Sequence, residues 1–265
     1  MPRVLAIAGS DSGGGAGIQA DLKTVMAMGG YCQTAITALT AQDTRGVAEI
    51  FRLPTAFIRR QIDMAFNDIG VDAIKTGMLH DRDVIETVAD AVSRRPDVAL
   101  VVDPVMAAKG GTSLLDPVSI ATLISRLAPL ATLLTPNVPE AAALTGITIT
   151  GEADMARAAD LLMARGVGAV LIKGGHLQGT QVTDLLVWSG GVQRFSASRI
   201  ETRHDHGTGC TLASAVATGL ASGVPLDQAV AAGRDFVRRT LLATPGLGQG
   251  HGPLGHGAAM CEPHL

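Results

Sequence analysis

At 265 residues the chain can bury a sizeable core, either as one α/β domain or as two small ones. A formal net charge of −3 and a pI near 6.1 argue against a nucleic-acid footprint, and no apolar run approaches the roughly 18 residues of a membrane span. Aromatic residues are only 3% against 47% hydrophobic, so the core must be built from Ala, Val, Leu and Ile, while the 32 glycines suit many tight strand-to-helix turns.

Met1-Pro2-Arg3 leads into a short apolar run, 4–8, that breaks at Gly9, which is not the pattern of a signal peptide. Further strand-length apolar runs follow at 34–38, 73–76, 99–102, 132–134 and 170–172. Most are continuously apolar rather than alternating, the pattern of strands covered on both faces of a parallel sheet. Helical patterns lie between them at 18–28, 56–66, 83–92, 117–127 and 154–163, with Asp116-Pro117 reading as an N-cap and a first-turn proline. From Thr183 the pattern changes: 184–188, a Ser189-Gly190-Gly191 turn and 192–195 read as a β-hairpin. Two small-residue helices, at 211–221 and 226–242, close the chain. No repeat or linker splits it. The expectation is one α/β domain over 1–265, with a central mostly parallel sheet, helices on both faces in the doubly wound manner, and a small β-hairpin.

Cys32, Cys210 and Cys261 are far apart and odd in number, which favours a reduced compartment; a cytoplasmic protein is expected. The histidines of the carboxyl-terminal stretch, His251, His256 and His264, sit mostly among glycines and read as loop residues.

In a doubly wound sheet, ligands bind where strands end at the carboxyl edge. Asp103 after one apolar run, Asn137 after another and Lys173 after a third each place a functional group there. The glycine-rich loop 9–17 follows the first strand and enters a helix. It loosely fits a dinucleotide fingerprint, but the second strand runs into Leu39-Thr40 rather than an acidic residue, and the chain has no Gly-Lys dipeptide for a Walker A motif. The loop therefore reads as the floor for a small substrate, or as a permissive turn. Gln42 could offer an amide to a ring with paired donors and acceptors. Asp103 and Glu140 could hold Mg²⁺ together with phosphate oxygens, or serve a turn and a helix start. Lys173 could meet a phosphate as a point charge.

His204-Asp205-His206-Gly207-Thr208-Gly209-Cys210 empties into the apolar helix that follows. Its unpaired first amides and positive dipole end make an anion site, with Cys210 where a helix start draws a thiol pKa down. A zinc site from His204, His206 and Cys210 is a rival reading, but no fourth ligand with CxxC or HExxH spacing accompanies them.

These segments together carry a family likeness. Residues 8–21, Thr40-Ala41-Gln42, Lys75-Thr76-Gly77-Met78, Val102-Asp103-Pro104-Val105-Met106, Thr135-Pro136-Asn137, Glu140-Ala141, Lys173-Gly174-Gly175-His176 and His206-Gly207-Thr208-Gly209-Cys210 resemble the hydroxymethylpyrimidine/phosphomethylpyrimidine kinases of the ribokinase-like superfamily. The resemblance runs through nearly the whole chain, including Gly250-His251-Gly252-Pro253-Leu254. It implies two ATP-dependent transfers in thiamine biosynthesis, onto 4-amino-5-hydroxymethyl-2-methylpyrimidine and then onto its monophosphate. It further implies Gly9, Ala16, Gln42, Met78 and Val105 at the pyrimidine, Asp103 and Glu140 in the Mg²⁺ and phosphate network, Asn137 and Lys173 near the nucleotide phosphates, and Gly207, Thr208, Gly209 and Cys210 as the anion hole. A homodimer is implied as well. Many members of the wider superfamily carry an aspartate base where this chain has Cys210, so the proton acceptor is either the thiolate or no side chain at all. A pyridoxal or pyridoxine kinase of the same fold and a non-catalytic pyrimidine binder are the competing readings.

Overall fold

The computed structural model describes residues 1–107, 111 and 114–260. The first half of the chain runs β1 (Arg3–Asp11), α1 (Gly17–Ala27), β2 (Tyr31–Asp43), β3 (Gly46–Arg52), α2 (Thr55–Asn67), β4 (Ala73–Thr76), α3 (Arg82–Val92), β5 (Ala99–Val102) and α4 (Pro117–Thr122). The second runs β6 (Leu133–Leu134), α5 (Val138–Thr145), α6 (Glu152–Met163), β7 (Ala169–Ile172), β8 (Gln181–Trp188), β9 (Gly191–Ser198), α7 (Thr208–Ala221), α8 (Leu226–Leu242) and α9 (His256–Met260).

The strands form one sheet in the order β3-β2-β1-β4-β5-β6-β7-β8-β9. From β2 to β7 neighbours are parallel, whereas β3 joins one edge antiparallel and the β8–β9 hairpin the other. Alternation along the buried strands sends side chains to two separate cores. Leu5, Ile7, Ile74, Leu100, Val102, Leu134, Val170 and Ile172 meet α2 to α6 on one face. Val4, Ala73, Val101, Leu133, Ala169 and Leu171 meet α1, α7 and α8 on the other. Helices thus cover both faces, and the continuously apolar runs are the strands buried between them. The chain leaves β1 toward β2 and returns on its other side as β4, which puts the topological switch point of the sheet at the carboxyl ends of β1 and β4.

Several elements differ from the sequence expectation. β3 was not anticipated: it is a half-exposed edge strand, joined to β2 by a turn in which the Asp43 carboxylate accepts from the amides of Arg45 and Gly46 at 2.8 and 3.2 Å. α5 is only 8 residues long, too short to show a period. Its start is set by a capping box in which Asn137 and Glu140 exchange side-chain and backbone hydrogen bonds of 2.9 and 2.8 Å. The helix expected over 117–127 does start at the Asp116 cap, whose carboxylate accepts from Ser119 at 2.7 Å. It is α-helical to Thr122 and continues as a π-helical turn, Leu123–Leu127. His256 is not a loop residue. It opens α9, is buried, and its Nε2 lies 2.9 Å from Thr211 Oγ1 of α7. Cys261 and His264 lie outside the described residues.

Candidate active site

The carboxyl edge of the sheet carries a cleft of about 970 Å³, and each candidate side chain reaches it from its own strand end. Gly9 and Ala16 come from β1 and its loop, Gln42 from β2, Met78 from the segment after β4, and Asp103 and Val105 from the segment after β5. Asn137 and Glu140 follow β6, Lys173 follows β7, and Gly207, Thr208, Gly209 and Cys210 form the entry to α7.

The loop after β1 is wound around one carboxylate. Asp11 Oδ1 accepts from Gly13 N at 2.8 Å, and Oδ2 from Gly15 N and Ala16 N at 3.0 and 2.8 Å. His206 Nε2 stands 3.0 Å from the same Oδ2 and ties this loop to the approach to α7. Burial works to raise the Asp11 pKa. The His206 bond and the amides outweigh it, and Asp11 is held below the usual carboxylate range. Gly207, with φ +90°, interlocks the two loops, since a Cβ there would stand 2.0 Å from Gly15 O. Gly9 leaves room for Met78, whose Cε lies 2.4 Å from where a Gly9 Cβ would be.

Charge concentrates below the start of α7. Lys173 Nζ lies 2.9 Å from Asp103 Oδ1, which Thr135 Oγ1 also reaches at 3.2 Å, and 4.0 Å from Glu140 Oε2. The helix start is adjacent: a Cβ on Gly209 would stand 3.3 Å from both Lys173 Nζ and Asp103 Oδ2. Burial opposes the charge on Lys173, but Asp103 and Glu140 outweigh it and its pKa is raised. Burial also pushes Glu140 up to about 7, with Lys173 pulling the other way and Asp103 adding to the rise. Among the described residues no three His, Cys, Asp or Glu side chains gather into a metal cage. His206 faces Asp11 and Gln42 rather than a shared centre with His204 and Cys210.

The expected depression of the Cys210 thiol is contradicted. Its burial pushes the pKa up to about 11. Lys75 and the Gly17 amide pull it down and Asp21 and Asp103 push it up, and desolvation outweighs the lowering contributions. Lys75 and Asp21 were not singled out for a role from the sequence. Both are fully buried, with Lys75 Nζ 2.7 Å from Asp21 Oδ1, and Ser214 Oγ of α7 donates to that oxygen at 2.7 Å. Burial lowers Lys75, but Asp21, Cys210 and Asp103 outweigh it and the amine stays charged. A lysine inside the otherwise uncharged strand Ala73-Ile74-Lys75-Thr76 was the available signal, because a lysine is almost never fully buried without a partner.

A chain assembled this way is similar to known kinases along its whole length. It is 51% identical over 255 residues to the hydroxymethylpyrimidine/phosphomethylpyrimidine kinase of Rhizobium meliloti, covering 95% of this chain and 96% of the relative. The crystal structure of phosphomethylpyrimidine kinase from Clostridium difficile is 40% identical, with a TM-score of 0.81 over 90% of this chain and 99% of that one. Pyridoxal kinase from Bacillus subtilis, solved as an ADP complex, is 38% identical, with a TM-score of 0.92 over 99% of this chain and 100% of that one. The fold is thus common to pyrimidine and pyridoxal kinases, and the higher identity lies with the pyrimidine enzyme. The family described as phosphomethylpyrimidine kinase matches residues 11–255, and to that family of kinases the chain belongs.

Proposed function

We propose that this kinase, as one domain over 1–265, transfers the γ-phosphoryl group of ATP to the hydroxymethyl group of 4-amino-5-hydroxymethyl-2-methylpyrimidine, then to the monophosphate, in thiamine biosynthesis. The observation that carries the reading is the convergence on one cleft of a small, glycine-floored pocket and an anion-binding helix start beside Lys173 and Asp103. Gly9, Ala16, Met78 and Val105 enclose the ring, and Gln42 pairs with its polar edge. Lys173 and Asn137 lie along the phosphates. The amides of Gly209 and Cys210, at the amino end of α7 where no intrahelical acceptor exists, meet the oxygens of the phosphoryl group in transit. Phosphoryl transfer depends on positioning and charge stabilisation, which this arrangement supplies. Cys210, as thiolate, takes the hydroxyl proton.

Asp103 and Glu140 suit a Mg²⁺ that arrives with nucleotide, since this ion prefers one or two carboxylates completed by phosphate oxygens and water. When bound it neutralises phosphate charge. We also propose a cytoplasmic homodimer. Cys32 and Cys210 are free thiols, and no helix among the described residues is long and apolar enough to cross a membrane. At the β2–β3 edge the cross-strand pair Leu39 and Phe51 is exposed, 42% and 62%, a surface for a second copy.

The test is ADP release with Mg²⁺-ATP on hydroxymethylpyrimidine, its monophosphate, pyridoxal and pyridoxine. Turnover of the pyrimidine and its monophosphate well above both pyridines is expected. Preference for the pyridines would move the activity to vitamin B6, and silence on all four would remove this substrate reading.

A further inference from the structure

We infer that His206 and Thr40 are positioning residues that lock the Gln42 carboxamide in one orientation, and so decide which order of donor and acceptor on a substrate ring the cleft accepts. The amide orientation follows from the donors and acceptors around it, and only its consequence for the substrate rests on the proposed function.

Asp11 is ionised, as its three amide partners and depressed pKa require, so it only accepts. His206 Nε2, 3.0 Å from Asp11 Oδ2, therefore carries a proton whatever the state of the rest of the ring. The carboxamide is placed with Gln42 Nε2 3.2 Å from that nitrogen, which would set two donors face to face; turned by half a turn, the amide puts its carbonyl oxygen there as an acceptor. At the other end of the amide, Thr40 Oγ1 lies 3.0 Å from Ser10 O and 3.2 Å from the amide atom placed as Gln42 Oε1. With the amide turned, the single hydroxyl proton of Thr40 goes to Ser10 O, which can only accept, and Thr40 offers the Gln42 NH₂ a lone pair. The amide NH₂ then faces Thr40. The His206 end requires this orientation and the Thr40 end accommodates it: oxygen toward His206, nitrogen toward Thr40.

A carboxamide has two N–H donors and two acceptor lone pairs, and this network engages one of each. The remaining donor and acceptor are held in a fixed order in a residue that lines the cleft. The two candidate ring classes differ in just this order. Moving away from the hydroxymethyl carbon, the aminopyrimidine presents an amino donor and then a ring-nitrogen acceptor. Pyridoxal presents an aldehyde acceptor and then a hydroxyl donor. A freely turning amide serves both rings by rotating half a turn, whereas a locked amide discriminates.

The test combines a direct readout with a kinetic one. In the protein labelled at side-chain amides, the Gln42 NH₂ protons are expected to show NOEs to the Thr40 methyl group and none to the His206 ring protons; the reverse pattern overturns the assignment, whatever the substrate proves to be. For the kinetics, Thr40→Val keeps the volume and removes the lone pair. The ratio of kcat/KM for hydroxymethylpyrimidine over pyridoxal is expected to fall about tenfold, the scale of one hydrogen bond, through the KM for the ring rather than that for ATP. Thr40→Ser restores the ratio. Should Thr40→Val fail to fold, His206→Asn is read for the same ratio. An unchanged ratio in a folded variant overturns the inference even while the wild type phosphorylates the pyrimidine. A wild type inactive on the pyrimidine but showing the expected NOEs supports the locked amide and removes the substrate reading alone.

Discussion

With its thiol pushed up to about 11 by burial, Cys210 carries its proton in nearly every molecule near neutral pH, and only about one in 10³–10⁴ is thiolate. If that minority species is the proton acceptor, kcat at saturating substrate rises about tenfold per pH unit between roughly pH 7 and 10. Cys210→Ala then loses on the order of 10²–10⁴ in turnover, and Cys210→Asp, with a group already ionised, recovers much of it with a flat profile. A flat wild-type profile together with an active Cys210→Ala would leave the α7 amides as the sole catalytic device. Glu140 makes a second prediction with its own sign. Its pKa of about 7 means that a proton competes with a cation at neutral pH. Mg²⁺ affinity in the presence of a nucleotide is expected to strengthen as pH rises through about 7 and then level off, whereas Glu140→Gln shows no such step. Calorimetric titration at several pH values checks both.

The elements are held in register around the cleft by buried polar ties as well as by apolar packing. Lys75 on β4, Asp21 on α1 and Ser214 on α7 form a fully buried cluster beneath Cys210. Removing one member leaves the other charge without compensation in the core, so Lys75→Met is expected to destabilise the fold by about 3–5 kcal/mol. Replacing both charges, as in Lys75→Met with Asp21→Leu, removes the uncompensated charge and is expected to be distinctly less destabilising. Urea unfolding of the two variants separates these outcomes, and equal losses would show that packing rather than charge governs the cluster. His256 of α9 and Thr211 of α7 make a further tie, pinning the last described helix against the site helix. Burial lowers His256 to about 4, so it stays neutral at ordinary pH.

On the scale of the whole molecule, the sheet divides two apolar cores and leaves its carboxyl edge for chemistry, while its β2–β3 edge projects the exposed Leu39–Phe51 pair. For the proposed homodimer, light scattering is expected to give about twice the 27.1 kDa chain mass, and Phe51→Asp to return it toward 27.1 kDa with the fold intact. A wild-type chain of 27.1 kDa at micromolar concentration would exclude the dimer.

What the sequence determined by itself was local in origin. Continuous apolar runs marked the doubly covered strands, and the polar residues just past them, Asp103, Asn137 and Lys173, marked the edge where a site is built. The Asp116 cap was legible because a cap and its helix are neighbours in sequence. β3 and α5 were not legible: one is an exposed edge strand and the other is too short to show a period. Tertiary structure alone decided the rest. The Cys210 thiol is raised rather than lowered because desolvation depends on what packs around a group in the folded chain, and Asp21 and Asp103, distant in sequence, add to the rise. The contacts of His206 with Asp11 and Gln42 span 195 and 164 residues of chain. Periodicity carries no information at that separation, since only the folded sheet brings those loops to one edge.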